Sequence, residues 1–142
     1  MFITKKSIIG IIKLAGIIST ESRLGSRGGL NLNDLSDSIT KAFSFKNIKA
    51  IVLLVNSPGG SPVQSALIAN RIRDIAKEKE IPVYCFIEDL AASGGYWLSC
   101  AADKIYAMES SIIGSIGVIT SGFGAVEAIK KIGIERRVYS QG

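Results

Sequence analysis

A serine flanked by small residues, Ser93, is the group in this sequence best suited to nucleophilic chemistry. It lies in Ala91-Ala92-Ser93-Gly94-Gly95, after an apolar run over 81–87 that predicts a buried strand and before a predicted helix over 96–102. Small neighbours allow a sharp strand-to-helix turn that leaves the hydroxyl exposed, as in a nucleophile elbow. The alternative is that Ser93 only caps the following helix, a common use of serine. This stretch alone favours neither interpretation.

A second turn of small residues, Asn56-Ser57-Pro58-Gly59-Gly60, follows a continuous apolar run typical of a buried parallel strand. Because the carboxyl ends of parallel strands share one edge of a sheet, the two turns are expected to face each other. The backbone N–H of Gly60 or Gly59, together with that of Gly94, would then form an oxyanion hole that stabilises the charge developing as Ser93 attacks a carbonyl. The alternative is an ordinary turn followed by a helix cap.

The sequence contains no histidine, so this polypeptide supplies neither a Ser-His-Asp triad nor a histidine-ligated metal site. We predict no metal and no cofactor. The remaining way to activate Ser93 is a neutral lysine, whose pKa must fall from about 10.4 by roughly 3–5 units through burial. Within the chain the conceivable bases, none of them compelling, are Lys13, Lys104, Lys130 and Lys131.

The composition is that of a folded globular chain, with 47% hydrophobic and 20% charged residues among 142. The net charge is +5, but the basic residues are spread over predicted helix faces beside acids, so we predict no nucleic-acid partner. Cys85 and Cys100 lack metal-binding or redox spacing and are expected to be buried thiols, with their redox state open. No apolar run reaches the roughly 18 residues of a membrane span, so the chain as given is expected to be soluble.

Strands and helices alternate along the sequence, which predicts parallel pairing with right-handed crossovers in one α/β unit over 1–142. Strands are predicted within 7–20 and over 50–55, 81–87, 104–108 and 135–138, and helices over 31–43, 62–79, 96–102 and 125–132. Ser61 and Gln64 have capping-box spacing around Pro62. The glycine- and serine-rich stretch 109–124 contains no nucleotide-binding motif and predicts close backbone approaches.

Four motifs, in order and at suitable separations, resemble the signal peptide peptidase A (protease IV) family of bacterial serine peptidases. They are Val55-Asn56-Ser57-Pro58-Gly59-Gly60, Ala91-Ala92-Ser93-Gly94-Gly95-Tyr96, Ala101-Ala102-Asp103-Lys104-Ile105 and Gly114-Ser115-Ile116-Gly117-Val118. The similarity extends from about Ile8 to the last residue.

The resemblance implies a ClpP/crotonase-like α/β fold and a Ser-Lys dyad that cleaves residual signal peptides and other peptides in or near the membrane. By motif, Ser93 is the nucleophile, Gly60 and Gly94 are the oxyanion donors with Gly59 as a further candidate, and Ser115 helps to hold the lysine amine. A homo-oligomeric ring and a location at the bacterial inner membrane, through an N-terminal anchor, are also implied for full-length members.

The general-base lysine of that family follows a segment like the last residues of this sequence, so the resemblance places it after Gly142. We therefore expect a single peptidase domain that is truncated before its base, lacks the usual anchor and has little or no activity alone. A neighbouring protomer is one possible source of the lysine. Two other functions stay open: a crotonase-like enzyme that handles acyl-CoA, and a non-catalytic assembly domain.

Overall fold

The computed structural model describes residues 6–20, 29–117 and 126–133. Within these ranges strands and helices alternate as predicted. The elements are β1 (Ile8–Ala15), α1 (Leu32–Ala42), β2 (Ile48–Ser57), α2 (Pro62–Lys79), β3 (Val83–Ala92), α3 (Gly94–Ser99), β4 (Lys104–Ala107), β5 (Ile112–Gly114) and α4 (Val126–Lys131). The strand predicted over 135–138 lies outside the described residues.

The strands form one parallel sheet in the order β1-β2-β3-β4, and β5 pairs with the carboxyl half of β3 beyond β4. Strand order equals chain order, so right-handed crossovers bring the helices to the same face of the sheet. In β1, β2 and the first half of β3, every second residue points to that face and is buried against the helices, whereas all four residues of β4 are exposed. Among the residues of this core are Ile12, Leu53, Cys85, Ile39, Ile68, Ile72 and Leu98.

The helix starts follow the capping chemistry of the sequence. Asn31 caps α1, its side-chain oxygen accepting a hydrogen bond from the Asp34 N–H at 2.9 Å. Ser61 caps α2 in the same way through Gln64 N–H at 3.4 Å, and Pro62 takes the first helical position. The Gln64 half of the predicted capping box is wrong: its Oε1 accepts from Leu32 N–H at 2.9 Å and so ties the start of α1 to α2.

The structure extends β3 five residues past its predicted end at residue 87, to Ala92, and adds β5, which the sequence did not indicate. The acidic residues Glu88 and Asp89 indicate the end of a strand in the sequence. The strand nevertheless continues, because both side chains are exposed to solvent at the rim of the sheet. Asp89 Oδ2 accepts a hydrogen bond from Asn56 Nδ2 at 2.7 Å, and the Glu88 carbonyl accepts one from Ser111 Oγ at 2.7 Å. These bonds attach the last part of β3 to the neighbouring segments, so the strand continues up to the Ser93 turn.

At the opposite end of β3, Asp103 fixes the strand to the helical layer. Its Oδ2 accepts from Val83 N–H at 2.8 Å, and its Oδ1 accepts from the Arg73 guanidinium at 2.8 Å. The Val83 N–H, followed by the Arg73 hydrogen bond, lowers the pKa of the Asp103 carboxyl. Both side chains of the pair are nearly half exposed, at 47% and 45%, so solvent screens their attraction.

Asp103→Asn is expected to destabilise the fold by on the order of 1 kcal/mol at neutral pH, after discounting for exposure. Since the folded-state pKa of Asp103 is depressed, its contribution is present above the unfolded pKa of about 3.9 and is lost as pH falls through the folded value. Urea unfolding of wild type and variant should therefore differ at pH 7 and converge at acidic pH. Asp74→Asn, an exposed position on α2, serves as the control. A constant difference at all pH values would contradict this role.

Candidate active site

Ser93 occupies the single residue between β3 and α3 with a backbone conformation that side-chain-bearing residues rarely adopt, φ 52° and ψ −120°. Its N–H donates to the Gly114 carbonyl at 2.9 Å, and its carbonyl accepts from Trp97 N–H at 3.1 Å. The Ser93 side chain makes no capping hydrogen bond to α3, and the residue is exposed. The helix-cap interpretation therefore fails, and the geometry is that of a strained strand-to-helix turn presenting a hydroxyl.

The turn 57–60 packs against the Ser93 turn through Gly59. Ser57 is fully buried; its Oγ donates to the Gly16 carbonyl at 2.7 Å and accepts from Gly59 N–H at 3.1 Å. Gly59 has φ +94°, and a Cβ on it would lie 2.7 Å from Gly94 N and 2.9 Å from Ser93 Cβ. Only glycine fits this contact. The Gly59 N–H donates to Ser57 Oγ, which leaves the N–H groups of Gly60 and Gly94 as the candidate oxyanion donors.

Gly60 and Gly94 bring two backbone amides to the same cavity as Ser93. Ile18 donates to the Gly59 carbonyl at 2.9 Å and accepts from Ser61 N–H at 2.9 Å, so the bridge to Ile18 uses the residues on either side of Gly60. Gly60 is the middle residue of this parallel bridge, so its N–H and carbonyl point away from Ile18 and the bridge does not use the Gly60 N–H. Gly94 is the first residue of α3, where an N–H has no acceptor within the helix.

Ser115 follows β5 and lines the same cavity. The register of β5 with β3 pairs Ala92 with Gly114, so Ser93 and Ser115 are the next residues on adjacent strands. Ser115 also has a positive φ, 54°, and is exposed. The structure thus brings together at one cavity the four residues that the motifs single out for the reaction: Ser93, Gly60, Gly94 and Ser115.

The cavity beside Ser93 measures about 420 Å³. The sequence analysis did not anticipate its helical wall, formed by Tyr96, Trp97 and Cys100 of the segment after Ser93. The i, i+3 and i, i+4 spacing of these residues could have indicated this wall, because residues at such spacing lie on one side of a helix. The lining residues are Gly60, Pro62, Ser93, Gly94, Tyr96, Trp97, Cys100, Ser115, Ile116 and Gly117.

The two cysteines differ in environment. Cys85 is fully buried in β3, and this burial raises the pKa of its thiol. Cys100, expected to be buried, is exposed at the cavity wall because it follows the last residue of the short helix α3. Both are free thiols.

Within the described ranges, no three side chains are grouped in a way that would hold a metal ion. None of the described helices combines the length and apolar character that crossing a bilayer requires. The described lining of the cavity also contains no lysine, so Lys13, Lys104, Lys130 and Lys131 do not lie in its wall.

Solved structures with a similar fold place the chain among ClpP-like α/β domains. A mutant of the 1510-N membrane-bound stomatin-specific protease matches with a TM-score of 0.61 and 20% identity, over 91% of this chain and 60% of that one. A mutant of ClpP1 from Listeria monocytogenes matches with a TM-score of 0.55 and 19% identity, over 87% and 63%. The predicted α/β, ClpP/crotonase-like fold is therefore confirmed.

Within that class, residues 75–142 match the sequence model of peptidase family S49. The putative signal peptide peptidase SppA of Enterococcus faecium is 39% identical over 99% of this chain and 39% of its own length. These findings confirm the resemblance to the signal peptide peptidase A family.

A further relative carries an unrelated name. The Na(+)/H(+) antiporter NhaA of Brucella melitensis is 48% identical over 94% of this chain but only 18% of its own length. The chain thus spans about a fifth to two fifths of the length of these curated relatives.

Gly59→Ala is expected to displace the Ser93 turn, because the added methyl meets Gly94 N and Ser93 Cβ at under 3 Å and the residue has φ +94°. We expect a destabilisation of about 2 kcal/mol or more and loss of Ser93 reactivity. Thermal unfolding of the 142-residue chain measures the first effect. Labelling of Ser93 measures the second, in a chain whose Gly142 is followed by the corresponding segment of the longer Enterococcus faecium relative. Gly16→Ala is the matched control: φ is also positive, +108°, but no atom lies within 4 Å of the added Cβ. Equal effects at both glycines would show that backbone strain alone is responsible.

Alkylation with iodoacetamide is expected to modify Cys100 in the native chain and to spare Cys85, whose buried thiol resists ionisation. Mass spectrometry should detect one modified thiol per native chain and two after unfolding in denaturant. The Cys100→Ser variant should remain unmodified until it is unfolded. Early modification of Cys85 would contradict the described packing of β3.

Proposed function

We propose that this chain is a serine peptidase domain in which Ser93 is the nucleophile. The observation that carries the proposal is the conformation of Ser93: a strained turn residue whose hydroxyl caps no helix and opens into a cavity shared with Gly60, Gly94 and Ser115. A serine that served only the fold would have no need of this backbone conformation, which costs about 1–3 kcal/mol.

In the proposed reaction, Ser93 Oγ attacks the scissile carbonyl carbon and its proton passes to a base. The N–H groups of Gly60 and Gly94 donate hydrogen bonds to the oxyanion, and each such donor contributes about 3–4 kcal/mol to lowering the barrier. Collapse of the intermediate releases the amine, protonated by the same base, and leaves an acyl-serine. Water then attacks the acyl-serine and regenerates the hydroxyl.

The base in this proposal is a lysine, because the sequence has no histidine. The described cavity wall contains no lysine, so this base is supplied from outside that wall. The family resemblance places that lysine beyond Gly142, and the longer relatives are consistent with a site completed by further residues or by a neighbouring protomer. Ser115, at the cavity wall one strand from Ser93, would hold the lysine amine. An apolar cavity disfavours a charged ammonium group and so lowers the lysine pKa toward neutrality.

The substrates we propose are peptides with apolar segments, such as cleaved signal peptides. Trp97, Ile116 and Pro62 give the cavity beside Ser93 an apolar wall that suits such side chains. The relatives named for signal peptide peptidase activity support this substrate class. Action near the membrane and assembly into a homo-oligomeric ring are further parts of the proposal and follow from the resemblance. A single domain over 1–142 is proposed as well.

A fluorophosphonate probe tests the nucleophile. We expect little labelling of the 142-residue chain and at least a tenfold increase when Gly142 is followed by the corresponding segment of the longer Enterococcus faecium relative. Ser93→Ala should abolish the labelling, whereas Ser44→Ala, which removes an exposed hydroxyl just after α1, should leave it unchanged.

Absence of labelling at Ser93 in the extended chain would overturn the peptidase proposal. Saturable binding of a CoA thioester by that unlabelled chain would then support the crotonase-like alternative. If neither is observed, a non-catalytic assembly domain becomes the best interpretation.

A further inference from the structure

Extra residues interrupt the pairing of β3 with β2 just before the Ser93 turn. From one matched pair of the register to the next, β2 advances by two residues and β3 by four; these pairs are Val55–Ile87 and Ser57–Ala91. The additional backbone forms a bulge over residues 88–90, which we call the β3 bulge. Bulges are rare in parallel pairs, where they bend the strand and re-aim the side chains that follow. The β3 bulge therefore bears on the direction in which the strand reaches Ser93.

A hydrogen bond at the surface ties the β3 bulge to β2. Asn56 Nδ2 donates to Asp89 Oδ2 at 2.7 Å, and Asn56 lies between the two matched residues of β2. The same asparagine begins the turn that contains Gly60. The bond thus holds the strand that carries the nucleophile against the turn that carries a candidate oxyanion donor.

A second surface hydrogen bond ties the β3 bulge on its other side. Ser111 Oγ donates to the Glu88 carbonyl at 2.7 Å, at the point where the neighbour of β3 changes from β4 to β5. β5 supplies the Gly114 carbonyl that accepts from Ser93 N–H, and it leads directly into Ser115. The Ser111 hydroxyl therefore attaches to β3 the segment that contacts the nucleophile.

We propose that Asn56, Asp89 and Ser111 are positioning residues for the reaction at Ser93. None of the three is among the described residues that line the cavity, so they act by holding the β3 bulge. This inference rests on the proposed peptidase function, because the groups that it positions are the nucleophile, the oxyanion donors and Ser115. A misplacement of about 1 Å can cost about a hundredfold in rate, whereas an exposed hydrogen bond adds little to stability because water replaces the lost partner.

The kinetics of fluorophosphonate labelling test the proposal in the chain whose Gly142 is followed by the corresponding segment of the Enterococcus faecium relative. Asn56→Asp, which sets two carboxylates against each other, and Ser111→Ala should each lower the maximal labelling rate constant by about tenfold or more. The probe concentration at half-saturation should stay unchanged. Thr40→Val is the matched control, because it removes another surface hydrogen bond between side chains, from Arg71 at 3.2 Å, and should change neither parameter. Thermal unfolding midpoints should fall by at most about 5 °C in all three variants.

Exchanging the two bonded groups distinguishes positioning from a general loss of structure. The double variant Asn56→Asp/Asp89→Asn reverses donor and acceptor and restores the bond, so its labelling rate constant should return to within about threefold of the wild-type value. Wild-type rate constants in Asn56→Asp and Ser111→Ala would overturn the proposal. A double variant as slow as Asn56→Asp alone would also contradict it.

Amide hydrogen exchange in the 142-residue chain tests the positioning without the reaction. In Asn56→Asp and Ser111→Ala the Ser93 N–H should exchange about tenfold faster or more, whereas the Ile51 N–H, bonded to the Pro82 carbonyl at 2.9 Å, should keep its rate. Equal acceleration of both amides would show global destabilisation and contradict the proposal. An unlabelled wild-type extended chain would overturn the peptidase function, and the exchange rates would still decide whether these bonds hold the Ser93 turn.

Discussion

The hydrogen bonds of the buried Ser57 hydroxyl hold the candidate site together. This one group binds the carbonyl of Gly16, at the end of β1, and the N–H of Gly59, in the turn beneath the nucleophile. The Ser57 carbonyl in turn sits so close to Gly95 that no side chain fits there. A buried polar group left without partners costs about 1–3 kcal/mol, so the hydroxyl can satisfy both bonds only when the three segments are in register. The position of the Ser93 turn therefore depends on Ser57, which does not line the cavity.

Much of this arrangement follows from local chemistry that the sequence displays openly. The apolar runs, the Asn31 and Ser61 caps and Pro62 define the alternation of strands and helices, because each acts over a few residues. The pairing of the Asn56–Gly60 and Ser93 turns also follows, since parallel strands end at one edge. Ser93, Gly60 and Gly94 follow from these patterns, whereas Ser115 comes from the family resemblance; all four line one cavity.

The features that the sequence did not reveal depend on contacts between distant segments. β5 has only three residues, and its strand character arises from pairing with the far end of β3, not from its own composition. The last five residues of β3 include Glu88 and Asp89, which are tolerated because their side chains lie at an exposed rim. Gln64 bonds to α1 instead of its own helix, an outcome decided by the packing of two helices. One local bond was missed as well: the Gly59 N–H donates to the side chain of Ser57, two residues earlier, and so is not available as an oxyanion donor.

The unusual backbone at Ser93 has an energetic consequence for the whole domain. A residue held at φ 52° and ψ −120° keeps part of the folding free energy as local strain, which the bond from its N–H to the Gly114 carbonyl and the packing of Gly59 must offset. A glycine at this position would relax the strain and remove the hydroxyl at the same time. Under the proposed function, selection for a more stable fold and selection for a nucleophile act in opposite directions at this one residue.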